Sequence, residues 1–398
     1  MKRIFPYCFL LILISACAPV EKKGHTELPQ PIATTIPAAD FTVCASGCDF
    51  ASIQAAVDAG QTMPGAVIAV LDDVHTEAGI ILSKDVTIQG QGQSETIIQA
   101  AQTVEQASDR IFLVPEGVEA VIRHMTLRYG NPQGDIQSGG ALRNEGTLRI
   151  ENVILRENKA SAGGAILNDG NLHVRNSTIA DNIAKGGGDI FTECKTGGGI
   201  KIMSGPVTLE NTTISGNQAK GKGGGIHVAC LGELYATNST ISGNTSLEDG
   251  GGIYLDGLAY LDHVTITDNT ATNGGGITFQ GSGEKGVIRG QLNYKNTLIA
   301  GNHVRLEDYG VVECLAGRHA ELVMNENNWV ADGTCEAAFS GDPLLMPLAD
   351  NGGYTFTHLL SEDSPARNVV PQEGCLPEFD QRGIPRIFSC DVGAVENE

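Results

Sequence analysis

The sequence predicts an all-β solenoid, a parallel β-helix of about ten coils whose open start is covered by a short helix. Three observations predict it. Between Gly139 and Asn302 a Gly-Gly-Ala/Gly-Ile/Leu unit opens at Gly139, Gly163, Gly197, Gly223, Gly250 and Gly274, with starts 24, 34, 26, 27 and 24 residues apart. A period of this size marks repeats that bury their apolar face only against neighbours. Within each unit apolar and polar residues alternate, as in Ile253-Tyr254-Leu255-Asp256, which is strand periodicity. Asparagines recur in two sets: Asn152, Asn176, Asn211, Asn238 and Asn296, with His263 in the fifth slot, and Asn158, Asn182, Asn217, Asn244, Asn269 and Asn302.

Each unit holds three short strands with no segment of helical periodicity between them, so a βαβ crossover does not fit. Ile166, Ile200, Ile226, Ile253 and Ile277 are expected to stack in one column, and Leu155, Ile179, Ile214, Ile241, Ile266 and Ile299 in a second. The glycines suit corners where backbones pass close or take positive φ. Asparagine tolerates the left-handed region and bonds nearby backbone, and stacked amides can bond along a column. That explains the Asn-x-Ser/Thr strings at Asn176, Asn211 and Asn238 better than glycosylation does.

Taken in order, residues 1–16 read as a signal peptide: a basic start at Lys2-Arg3, an apolar run from Ile4 to Ile14 too short to span a bilayer, and small residues before Cys17. With Cys17 the segment resembles a bacterial lipobox. The resemblance implies acylation of Cys17, which anchors the chain to a membrane, and Ala18 rather than Asp after it resembles an outer-membrane passenger. Residues 17–39, with Pro19, Pro29, Pro31 and Pro37, read as a flexible tether. Residues 40–340 are the solenoid. Its start, Phe50 to Ala59, has apolar residues at helical spacing with Ser52 as N-cap, a helix placed to cover the end of the core. Ala66 to Leu71, Gly79 to Leu82, Val86 to Gln89, Ile111 to Val114 and Val121 to Leu127 follow as strands, with a polar break from Gln99 to Arg110. Gly186 to Thr196 and Glu284 to Gly290 lengthen two repeats and are expected as loops.

Residues 341–398 leave the repeat. Asp342-Pro343-Leu344-Leu345, Asp350-Asn351-Gly352-Gly353, Asp380-Gln381-Arg382-Gly383-Ile384-Pro385-Arg386 and Cys390-Asp391-Val392-Gly393-Ala394-Val395-Glu396 closely resemble the C-terminal signature of the choice-of-anchor Q domain proteins. Those are bacterial surface proteins with a right-handed parallel β-helix. The Gly-Gly and Asn-x-x-Ile-x-x-Asn units also look like repeats of chlamydial polymorphic outer-membrane proteins and of pectin-lyase-like folds. What this implies is a right-handed solenoid exposed on a cell surface. Family members often carry a separate C-terminal anchor; here the sequence ends two residues after Glu396, and the lipid on Cys17 is expected to take that role.

Ten cysteines include Cys8 in the signal and Cys17. Eight remain in a chain expected to be exported, which favours disulfides. Nearest-neighbour pairing gives Cys44–Cys48, Cys194–Cys230, Cys314–Cys335 and Cys375–Cys390; the third resembles a pair common in the family. Cys44-x-x-x-Cys48 lacks a second Cys or His pair at zinc spacing, so no metal site is expected.

Glycine makes up 51 of 398 residues, well above the usual ~7%. The formal net charge of −21 argues against a nucleic-acid partner and against unassisted capture of acidic polymers. Polygalacturonase-like Asn-Thr-Asp and Gly-His-Gly strings are absent, and Arg382-Gly-Ile-Pro-Arg386 has the wrong spacing for a lyase arginine motif. One outward stripe remains. After the glycine corners come Arg143, Leu167, Lys201, His227, Tyr254 and Thr278, and two residues on come Asp169, Met203, Ala229, Asp256 and Gln280. Asp169, Lys201, His227, Tyr254 and Asp256 are therefore the candidate glycan-binding residues, with Tyr254 expected to stack on a sugar. The reading is a monomeric, lipid-anchored surface protein for display, adhesion or glycan binding, with a polysaccharide or envelope partner and no cofactor. The alternative is a polysaccharide lyase or hydrolase on the same stripe, with Ca²⁺ only in the lyase case.

Overall fold

A computed structural model describes residues 38–133, 137–186, 196–281, 290–305 and 312–397. Residues 38–398 form one compact unit. It is a right-handed parallel β-helix: all pairings between its strands are parallel, and each strand pairs with its counterpart one coil on. The strands make three main sheets, and a fourth ladder of two-residue strands runs from Lys159–Ala160 to His303–Val304 between the third sheet and the first. The first runs from Ile80–Ile81 through Phe112–Val114, Leu142–Asn144 and Ile166–Asn168 to Ile277–Phe279 and Cys314–Ala316. The second runs from Phe41–Val43 through Ala66–Val70 and Val86–Gln89 to Gln291–Lys295 and Glu321–Glu326, and the third from Val74–Thr76 and Ile97–Gln99 to Leu298–Ala300 and Trp329–Val330. Long strands such as Thr147–Arg156 and Leu258–Thr267 turn the corner between the second and third sheets without a break.

Both apolar columns form in the expected register. Ile166, Ile200, Ile226, Ile253 and Ile277 pair in sequence, as do Leu155, Ile179, Ile214, Ile241, Ile266 and Ile299. All are buried. The glycine corners show why two glycines are needed. Gly250 has φ 68°, and a Cβ on Gly251 would lie 2.3 Å from the Gly275 carbonyl oxygen of the next coil.

The two asparagine sets do different work. Asn152, Asn176, Asn211, Asn238, His263 and Asn296 take φ of 45–54° and turn the chain between the second and third sheets. His124 and Asn327 extend this left-handed column at its two ends. The other set is a directional ladder in the core. Asn158 donates its amide to Asn182 at 3.0 Å, Asn182 to Asn217, Asn217 to Asn244, Asn244 to Asn269 and Asn269 to Asn302, each at 2.9 Å. The second amide proton goes to a backbone carbonyl, as from Asn217 to Ile179. Buried amides would be costly unpaired; here every rung satisfies the last.

Glu313 ends this ladder. It is buried and accepts from the Asn302 side chain at 2.6 Å and from its N–H at 3.1 Å. Burial pushes its pKa up to about 7 against those bonds, with Asp332 adding to the rise. The folded value lies above the unfolded one of 4.5, so the folded chain holds this proton more tightly. Its stabilisation is complete below pH 4.5 and is lost as pH rises to about 7. Glu313→Gln keeps a carbonyl for Asn302 and removes the titration. Denaturant melts across this window should show the wild type losing on the order of 3 kcal/mol relative to the variant. Parallel curves would contradict the assignment.

The helix α1 spans Ile53–Asp58, with Ser52 as N-cap accepting from Ala55 N–H at 3.1 Å, and buries Ile53, Ala56 and Val57 over the end of the core. Glu77 accepts from Ile53 and Gln54 N–H as well, tying the helix start to the first coil. At the far end the second-sheet strand Glu321–Glu326 is an edge. A register shift after Leu292 bulges Val323 out, and acids stand at both its ends, which makes the edge a poor template for further pairing.

Cys44–Cys48, Cys314–Cys335 and Cys375–Cys390 are disulfide-bonded. Cys194 lies outside the described residues, as do Cys8, Cys17, most of Gly186–Thr196, most of Glu284–Gly290 and residues 1–37, where the signal peptide and tether are expected.

Candidate functional site

The solenoid presents three outer faces, and they have different fates. On the first sheet, Leu167, Lys201, His227, Tyr254 and Thr278 stand in register on successive coils, as the spacing predicts. Their exposure is corrected: Lys201 and Tyr254 are 0% exposed and His227 4%. The edge of His227 meets the Tyr254 ring at 5.0 Å and 85°. The Lys222 ammonium sits 4.2 Å from the Tyr254 ring centre and donates to its hydroxyl at 2.5 Å; Gln280 donates to the same hydroxyl. Asp256 lies 3.6 Å from His227 Nε2. Asp169 is exposed and accepts from the Ser204 hydroxyl at 2.6 Å. The stripe thus divides into an exposed Asp169 and a packed cluster of the other four.

Burial, and then the positive charge of Lys201, pull the His227 pKa down to about 4 against Asp256. Burial and Asp256 push Tyr254 above the usual phenol range. At neutral pH the cluster therefore holds a neutral imidazole beside a neutral phenol. Both shifts lead away from neutral pH, which makes the pair a poor proton-transfer couple. In this arrangement neither ring is open to a sugar, so Tyr254 does not serve as a stacking platform. Among the described residues, no three His, Cys, Asp or Glu side chains are grouped to hold a metal ion.

The third face is covered by the chain's own C-terminal segment. Thr213 donates to the Phe356 carbonyl at 2.6 Å, Thr240 to Gln381 Oε1 at 2.7 Å, Asn238 to the Phe379 carbonyl at 2.7 Å, and Thr265 accepts from Ala394 N–H at 2.9 Å. The motif residues of residues 380–396 lock this strap. Arg382 grips Asp380 through two nitrogens at 2.8 and 2.9 Å. The buried Arg386 bridges Glu396 at 3.3 Å, the Gly393 carbonyl at 3.0 Å and Asn238 at 3.2 Å. Both arginines are thereby committed to holding the fold.

The second face stays open. Thr87, Val121, Arg149, His173, Thr208, Tyr235, Tyr260 and Asn293 form one outward column. Tyr235 and Tyr260 stack with ring centres 5.1 Å apart and planes 5° apart, and Tyr260 is 38% exposed. Tyr235 donates to Glu233 at 2.8 Å; burial and that carboxylate push its pKa up to about 12. The flanking column carries mixed charges, with Glu210 at 3.4 Å from His173 and Lys295 at 3.1 Å from Asp262. Nearer the start of the solenoid the same face dips into a depression of about 520 Å³ lined by Asp85, Thr87, Glu119, Thr147 and Arg149 among others. This pair lies outside the stripe that the glycine spacing points to. Its signal was present: Tyr235 and Tyr260 occupy the same repeat position on consecutive coils, in Leu-Tyr-Ala and Ala-Tyr-Leu.

Solved structures similar to the chain include a pectin methylesterase from carrot, with 11% identity over 77% of this chain and 87% of that one at a TM-score of 0.39. The A-module of the Azotobacter vinelandii mannuronan C-5 epimerase AlgE6 matches with 17% identity over 73% and 94% at 0.32. The PL6 family alginate lyase AlyGC matches with 13% identity over 85% and 57% at 0.34. No curated protein matches the sequence significantly. The family described as "Right handed beta helix region" matches residues 80–326, more than half of the 398. With its coils, columns and glycine corners accounted for, the chain belongs to the right-handed β-helix family.

Proposed function

We propose that this protein is an exported β-helix, anchored through a lipid on Cys17, that displays a glycan-binding face and has no catalytic centre. The observation that carries the binding role is the stacked Tyr235–Tyr260 pair on the open face. Aromatic rings offer a sugar's C–H face a large apolar contact, and their hydroxyls and the neighbouring charged groups offer hydrogen bonds. The paired charges of Lys295 and Asp262 beside them and a net charge of −21 favour a neutral polysaccharide over an acidic one. A chain laid along the solenoid axis would meet the tyrosines and the depression at Arg149 together. The lipobox-like segment and the resemblance of the C-terminal motif to choice-of-anchor Q proteins support display at the cell surface, and of these the motif has a structural role in the strap.

The test incubates residues 40–398 with a panel of neutral and acidic polysaccharides, with and without Ca²⁺, and follows retention, reducing ends and unsaturated uronide absorbance. Tyr260→Ala is expected to reduce retention of the bound neutral polymer about tenfold, the effect of one lost aromatic contact. Unchanged retention removes the tyrosine face from the reading. Turnover that vanishes in His227→Ala favours instead a lyase or hydrolase acting at the His227–Tyr254 cluster, whose side-by-side imidazole and phenol are the observation on its side. For the anchor, Cys17→Ser is expected to move the protein from the membrane to the soluble fraction. Full retention in the membrane contradicts the lipid.

A further inference from the structure

We infer that the cap over the first coil is a lid fastened by one proton: a clasp of Asp72, His75 and Glu77 holds helix α1 and the Cys44–Cys48 loop closed while His75 is protonated and lets them open when it is not. The clasp lies at the start of the solenoid and rests on neither the glycan reading nor the lipid anchor.

The place of His75 in the fold singles it out. On the third sheet it pairs with Ile98, Ile98 with Leu127 and Leu127 with Leu155, so it heads the apolar column that runs on to Ile299. Ile98, Leu127 and Leu155 are fully buried, and His75 is 6% exposed. The first coil thus puts an imidazole where the coils behind it put isoleucine or leucine. Both ring nitrogens meet carboxylates: Nδ1 lies 3.0 Å from Asp72 and Nε2 2.8 Å from Glu77. A carboxylate only accepts, and a neutral imidazole donates from one nitrogen alone. Both contacts are hydrogen bonds only when the ring is protonated. In the neutral ring one of them sets a nitrogen lone pair against a carboxylate oxygen. All three side chains are largely buried, so water does little to soften that contact.

Each carboxylate has a second task. Asp72 accepts from Ala45 N–H at 3.1 Å, inside the loop that Cys44–Cys48 closes. Glu77 accepts from Ile53 and Gln54 N–H at 2.7 and 2.9 Å, the first two of the helix. His75 therefore holds together the two groups that hold down the cap. Other charged groups of this end are engaged elsewhere or stand in water: Asp49 accepts from Thr42, Asp58 from Gln54, Lys84 donates to the Ala59 and Thr62 carbonyls, and Asp73 and Glu95 are exposed. Burial acts to lower the His75 pKa, but the bonds and charges of Glu77 and Asp72 outweigh it and raise it above the ordinary 6.5. The folded value lies above the unfolded one, so the clasp is complete below pH 6.5 and is lost as pH rises through the folded value.

Hydrogen exchange followed by mass spectrometry on the full chain, from pH 5 to 9 and corrected for the intrinsic exchange rate, reads the opening of residues 44–59. Opening is expected to be constant in acid, to rise by up to about tenfold per pH unit above pH 6.5, and to level off at the folded pKa of His75. His75→Gln is expected to abolish the rise. Asp72→Asn keeps a carbonyl for Ala45 and leaves Glu77 as the sole carboxylate of the clasp, so its rise should be smaller and level off at lower pH. Should His75→Gln leave the cap open at every pH, the shifted Asp72→Asn profile carries the test. A wild-type profile that is flat across the range, a rise of equal size in His75→Gln, or an Asp72→Asn profile that matches the wild type each overturns the inference.

Discussion

Ile226→Asp should abolish cooperative folding of the central coils. Ile226 is fully buried between Ile200 and Ile253 in the first-sheet column. Removing its apolar side chain forfeits about 1.5–3 kcal/mol of burial, and placing an unpaired carboxylate there adds several more. The sum matches or exceeds much of the 5–15 kcal/mol that typical folded chains have in reserve. The coils share one core in which each rests on its neighbours, and the C-terminal strap docks on the same central coils through Thr213, Thr240 and Thr265, so a break at the middle coil also removes the strap's support. Circular dichroism should show loss of β signal, and limited proteolysis should cut between residues 200 and 253. Ile226→Val is the control and should cost only about 0.5–1.5 kcal/mol. A near-native melting temperature for Ile226→Asp would contradict the inward register.

That register was legible in the sequence because it is a local property. The isoleucines repeat with the glycine corners, and a parallel stack converts equal repeat positions into columns with no further information. The Asn158 to Asn302 ladder and the left-handed Asn152 to Asn296 column follow in the same way. What the repeat does not encode is what lies over its outer faces. Thr213, Thr240 and Thr265 sit one residue before column isoleucines and look like ordinary solvent-facing positions. They are buried because residues 355–394 fold back on them, across more than a hundred residues of chain in each case. His227 and Tyr254 stand on the expected face and coils, yet both are packed against side chains, Asp256 beside His227 and Lys222 and Gln280 on Tyr254, that spacing alone does not reveal. The Tyr235–Tyr260 pair was missed for another reason. Attention to residues next to the glycines leaves out the middle of the second sheet, where Tyr260 stands exposed.

Arg386→Ala should release the C-terminal strap while leaving the coils folded. Arg386 joins the strap's own loop, through Glu396 and the Gly393 carbonyl, to the left-handed corner at Asn238. It is 6% exposed, and burial lowers its basicity against the pull of Glu396, Asp380 and Asp391. Deleting one partner of a buried ion pair typically costs 3–5 kcal/mol, because the remaining charge loses its compensation. Here burial already pushes Glu396 up to about 7, so the orphaned acid can take up a proton and part of the loss is recovered in acid. The folded pKa lies above the unfolded 4.5, and without Arg386 it rises further, so the variant should lose stability more steeply than wild type as pH climbs through and beyond 7. The disulfide Cys375–Cys390 keeps the loop closed, so the failure should be undocking rather than unravelling. Limited proteolysis at pH 8 should then nick residues 341–374 in the variant and leave the coils intact. Arg386→Met combined with Glu396→Leu removes both charges and should regain most of the lost stability. If the single variant resists protease as the wild type does, the strap is held by its threonine and Gln381 hydrogen bonds, and the arginine is incidental to it.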